Sequence, residues 1–102
     1  MTVIITVMYP KTETSTFDLD YYLKKHMPLV QEKWGPQGLK NWSVTKLDES
    51  GGYTMQALLW FESSEAWAKA GATDGPTIMK DISKFSSEQP LFVFGEVIKK
   101  SE

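Results

Sequence analysis

A chain of 102 residues that is 41% apolar and 24% charged has the size and composition of one globular domain, 1–102, burying about two-thirds of its unfolded surface. Its net charge is −2 and all 11 basic residues are lysines, which argues against phosphate or nucleic-acid recognition, where arginine forks and clustered positive charge dominate. With no cysteine and one histidine, disulfides and thiolate chemistry are excluded, and no metal or cofactor is expected.

In chain order, Thr2 to Tyr9 is rich in β-branched residues and reads as a strand that Pro10 ends. Lys11 to Thr16 is a polar loop, read as a solvated connection or as the border of a site. A helix is predicted from Thr16–Asp18 to Trp34, with Ser15, Thr16 or Asp18 as its cap and Asp18 and Asp20 suiting the positive end of its dipole. On a wheel of 3.6 residues per turn, Leu19, Leu23, Met27, Val30 and Trp34 fall within about a quarter turn. His26 borders that arc, between Tyr22 and Leu23. Pro28 removes one backbone hydrogen bond and crowds the carbonyl of Lys24, so a kink or break is expected there. Trp34-Gly35-Pro36-Gln37-Gly38 closes the element.

Leu39 to Leu47 and Tyr53 to Phe61 read as a hairpin joined by Asp48-Glu49-Ser50-Gly51-Gly52. Ser63-Ser64-Glu65 starts a second helix carrying Trp67 and Ala70. A break is expected at Gly71, and Asp74-Gly75-Pro76 is a fresh start signal before the stripe Ile78, Met79, Ile82 and Phe85. Pro90 introduces a last strand, Leu91 to Ile98, and the chain ends in Lys99-Lys100-Ser101-Glu102. No stretch approaches the ~18 apolar residues of a membrane span, and the start lacks a signal-peptide layout. A cytoplasmic protein with neither membrane nor nucleic-acid partners is therefore expected.

The order βαββαβ predicts an α+β fold: a four-stranded antiparallel sheet with both helices on one face. Strands one, three and four are nonetheless apolar on both faces, and the chain has no spare element to cover the second. A second copy is expected to do so, as a homodimer whose two sheets pack face to face and close a barrel.

The first helix resembles that of the EthD family, proteins named for ethyl tert-butyl ether degradation. The matching residues are Tyr9-Pro10, Phe17-Asp18, Tyr21-Tyr22, and His26 followed by Pro28-Leu29. Chain length and element order match as well. The resemblance implies a ferredoxin-like dimeric α+β barrel, from a superfamily that includes cofactor-independent monooxygenases, lactone isomerases and polyketide cyclases.

His26 has two readings: a hydrogen-bonded core residue, or a general acid or base in a pocket between helix one and the sheet. Tyr22, four residues earlier, shares its helix surface, and Tyr9 ends the strand against which the helix packs. A His–Tyr pair can remove a proton beside a carbonyl and hold the enolate oxygen without metal or cofactor. His26 and Tyr22 are thus the candidate catalytic residues, and Tyr9, Tyr22 and His26 the candidate contacts to a small, mostly apolar carbonyl or aromatic ligand. Burial should lower the His26 pKa, and no carboxylate shares its arc, so an opposing one is expected, if anywhere, on the sheet. Asp18 and Asp20 read as helix-start charges. Trp34, Trp42, Trp60 and Trp67 read as core or interface anchors, and the glycine pairs as turns. Two functions fit: a cofactor-free oxidoreductase, isomerase or cyclase, or a non-catalytic small-molecule-binding accessory of an oxidative pathway.

Overall fold

A computed structural model describes residues 1–101; Glu102, at the end of the expected tail, lies outside the described residues. Four strands, β1 (Val3–Pro10), β2 (Leu39–Lys46), β3 (Tyr53–Phe61) and β4 (Leu91–Glu96), form one antiparallel sheet in the order β2-β3-β1-β4. β1 alternates buried and half-buried residues along its whole length, and Val3, Ile5, Val7 and Tyr9 point to the helix-covered face. Their cross-strand partners Phe61, Leu59, Ala57 and Met55 on β3 point the same way, as period-two geometry requires. The hairpin between β2 and β3 turns at Gly52, whose φ of 92° only glycine adopts without strain.

The first helical region is interrupted, as Pro28 led one to expect, but the irregularity lies ahead of the proline. It comprises α1 (Leu19–Tyr21), a π-helical segment (Tyr22–His26) and α2 (Met27–Trp34). Asp18 caps it, its Oδ1 accepting the Tyr21 N–H at 3.1 Å. Met27 donates to the carbonyl of Tyr22, five residues back. Pro28 then falls in the first turn of α2, where a missing N–H costs little. The expected break is therefore a widened turn just before the proline. A π turn spends an extra residue, which offsets everything before it by about 100° on the wheel. Leu19 and Leu23, assigned to the core by the uninterrupted wheel, are 40% and 44% exposed, and Tyr22 and His26 take the inward positions with Met27, Val30 and Trp34.

The break expected at Gly71 does not occur. α3 (Ser64–Asp81) runs unbroken through Gly71 and Pro76 after an N-cap from Ser63, whose Oγ accepts the Ala66 N–H at 3.0 Å. Its middle is pinned from outside. Trp34 Nε1 donates to the carbonyl of Ala70 at 2.9 Å, Gln37 Nε2 to Asp74 Oδ2 at 2.6 Å, and Thr73 Oγ1 to Gln37 Oε1 at 2.6 Å. These bonds offset the one that Pro76 removes. After α3 a 3-10 turn, Ile82–Lys84, leads to Phe85. Ile78, Ile82 and Phe85 are buried as expected, whereas Met79 is 41% exposed.

The other sheet face has no helix. Across it run the rows Trp60–Ile4–Gly95, Leu58–Thr6–Val93 and Gln56–Met8–Leu91, with Leu91 and Val93 about half exposed. No helix among the described residues is long and apolar enough to cross a membrane.

A candidate functional site around His26

The π turn carries Tyr22 and His26 inward, and the end of α3 approaches from the far side. His26 is 4% exposed, and its Nδ1 lies 2.9 Å from Asp81 Oδ2. The other carboxylate oxygen of Asp81 accepts the Tyr21 hydroxyl at 2.7 Å and has Lys84 Nζ 3.7 Å away. Because a carboxylate only accepts, the contact assigns the proton to Nδ1 and leaves Nε2 of the neutral ring with its lone pair.

Asp81 is the residue that the sequence reading missed. The opposing carboxylate comes from α3, not the sheet. Its signal was present: with Ile78 three residues before and Phe85 four after, Asp81 sits inside the apolar stripe, where an acid requires a partner. Tyr22 lies beside His26, as their shared helix surface predicts. Its ring stacks on the His26 imidazole, with centroids 5.6 Å apart and planes 15° from parallel, and the hydroxyl bond to this network comes from Tyr21. Around the pair stands an aromatic cluster. Phe85 lies 4.5 Å from His26 and 4.9 Å from Tyr22, and Tyr9 packs edge-on against Phe17 at 5.1 Å and Tyr22 at 5.9 Å.

The cluster sets the protonation states. Burial, the largest influence on His26, pulls its pKa below the ordinary 6.5, while the bond and charge of Asp81 push back. Burial alone would raise Asp81, but hydrogen bonds from Tyr21 and His26 and the neighbouring positive charges outweigh it, and its pKa ends below 3.8. Burial raises Tyr9 and Tyr22 far above 10, Tyr9 also through the charge Tyr22 would carry. At neutral pH the site thus holds a carboxylate, a neutral imidazole and two phenols that can donate but not act as bases.

Tyr9, Tyr22 and His26 border one small cavity of about 30 Å³ between the helices and the sheet, together with Val7, Leu59 and Phe92. That is room on the scale of one water or one ligand oxygen. The Tyr9 hydroxyl, the Tyr22 hydroxyl and His26 Nε2 make no hydrogen bond to the described residues. No fully buried side-chain nitrogen or oxygen there lacks a partner, so all three tips reach accessible space. On its other side Tyr9 lines a larger pocket of about 240 Å³ with Lys11, Ser15, Phe17, Lys46 and Met55; the polar loop after β1 does border it. No cluster of three His, Cys, Asp or Glu that could hold a metal occurs among the described residues.

No family model matches the chain, and no curated protein does. Solved structures match along nearly its whole length. An EthD-like protein from Ralstonia eutropha JMP134 is 28% identical, with a TM-score of 0.84 over 97% of this chain and 94% of that one. An EthD family protein from Bacillus halodurans C-125 is 23% identical, with a TM-score of 0.73 over 96% and 100%. SnoaB, a cofactor-independent oxygenase from Streptomyces nogalater, shares 8% identity and a TM-score of 0.67 over 98% and 96%, a likeness of fold alone. The Tyr9-Pro10, Phe17-Asp18, Tyr21-Tyr22 and His26/Pro28 pattern thus sits on a βαββαβ fold that is similar along nearly its whole length to that of EthD-like proteins.

Proposed function

We propose that this protein binds a small, mostly apolar carbonyl or phenolic compound and that His26 acts on it as a general base. The observation that carries the reading is the buried imidazole held through Nδ1 by Asp81 with Nε2 unpartnered. Nε2 takes a proton from a carbon next to a carbonyl or from a phenol. Asp81 stabilises the imidazolium so formed, and the phenols of Tyr9 and Tyr22 donate to the developing oxyanion. The resulting enolate or phenolate opens isomerase, cyclase or cofactor-free monooxygenase chemistry; in the last case the carbanion passes an electron to dioxygen. The fold shared with a cofactor-independent oxygenase supports that direction. The inner cavity admits only a polar head group on the scale of one ligand oxygen. The same smallness favours the second reading, a non-catalytic binding protein serving an oxidative pathway.

A homodimer completes this reading, with the apolar rows of the bare sheet face packing on a second copy in the cytoplasm. The test begins with a thermal-shift screen of small phenols and β-dicarbonyl compounds. Turnover and affinity of the best binder are then measured for wild type, His26→Ala and Tyr22→Phe. A base predicts lost turnover with modestly changed affinity for His26→Ala. Binders that no condition turns over, with affinity alone responding to the substitutions, would establish the carrier instead.

A further inference from the structure

Lys46 stands where the sheet pattern calls for an apolar side chain. On β2 the residues facing the helices are Trp42, Val44 and then Lys46, paired across β3 with Leu59, Ala57 and Met55. Met55 in turn pairs with Tyr9 on β1. Tyr9, Met55 and Lys46 therefore form one row on one face, and Lys46 lies about 10 Å from Tyr9, two inter-strand spacings away. All three border the 240 Å³ pocket, whose floor is Tyr9, Phe17 and Met55 and whose rim is Ser15, Thr16, Thr54 and Ser86. Three charged residues line it. Lys11 is taken by Glu49 at 3.5 Å, whereas Lys46 has no carboxylate within 4 Å among the described residues. A lysine at a strand end can simply snorkel to water. Here it does so at the mouth of a pocket floored by the apolar surfaces of Tyr9, Phe17 and Met55.

From this juxtaposition we infer that the outer pocket is an anion-selecting subsite, and that the ligand is a small aromatic acid. Its ring lies on Tyr9, Phe17 and Met55 and its carboxylate meets Lys46. This subsite stands apart from the role proposed for His26, since the outer pocket shares only the buried Tyr9 with the cavity beside the imidazole. The pocket is just below the usual volume for a drug-sized ligand, which suits one or two rings.

Two fluorescent probes differing in one group test it: 6-hydroxy-2-naphthoate and 2-naphthol, titrated at low ionic strength. Because Lys46 is exposed, the carboxylate should improve affinity about threefold to fivefold, and added salt should erode the gain. Lys46→Met should abolish the preference without weakening 2-naphthol, Lys46→Arg should restore it, and Lys24→Met on the far surface should leave it intact. Equal affinities in wild type, an unchanged ratio in Lys46→Met, an equal loss in Lys24→Met, or no binding of either probe would each overturn the subsite.

Discussion

Asp81 Oδ2 and His26 Nδ1, 2.9 Å apart, join the end of α3 to the π turn of the first helical region. Both residues are more than nine-tenths buried, so neither group can exchange its partner for water. Asp81→Asn removes the charge that helps raise the His26 pKa and leaves only a weaker, neutral acceptor for Nδ1–H, so burial meets less opposition. The imidazole should then titrate lower than in wild type by NMR. Turnover of any substrate found should fall at least tenfold, since the imidazolium loses its counter-charge. The cost in stability should be about 1–3 kcal/mol, read from denaturant unfolding.

Stability should decline on acidification in two stages. The folded His26 pKa lies below its unfolded value, so the unfolded chain binds the extra proton first, and stability falls as pH drops through about 6.5 towards the folded value. The folded Asp81 pKa is likewise depressed, and its stabilisation, present above about 3.8, is lost as pH falls through that range. Thermal unfolding between pH 8 and 5 should show the first stage in wild type, and His26→Phe should flatten it. A wild-type Tm that does not change between pH 8 and 5 would contradict the neutral buried imidazole.

The fold was legible because strand alternation and turn residues are local signals, and each of β1 to β4 lies within two residues of its expected limits. The first helical region was legible in content but not in phase. No local signal distinguishes a π turn from an α turn, and the wheel therefore placed Leu19 and Leu23 inside, where the structure leaves them 40% and 44% exposed. Asp81 escaped for a different reason: its partners Tyr21 and His26 lie more than 50 residues away in the chain. The sequence did not show the bonds from Trp34 and Gln37 that hold α3 together, because they span more than 30 residues. One comparison reads the phase directly. Met27→Ala should cost about 2–5 kcal/mol as a core deletion, whereas Leu23→Ala should cost under about 1 kcal/mol. Equal losses would restore the uninterrupted helix.

The bare sheet face sets the last expectation. Leu58, Thr6 and Val93 form its central row, flanked by Trp60–Ile4–Gly95 and Gln56–Met8–Leu91. An isologous contact over this face places every residue in the interface twice, so one charge introduces two like charges into a desolvated patch. Sedimentation equilibrium should find wild type as a dimer at micromolar concentration. Leu58→Glu should shift it to monomer while far-UV circular dichroism stays unchanged, because Leu58 points away from the helix-covered core. Ile4→Lys, one row away, should do the same, and Lys24→Glu on the outer helix surface should not. A folded wild-type monomer at that concentration would leave Trp60, Val93 and Leu91 without the cover that their chemistry calls for, and would rule out a barrel closed by two copies.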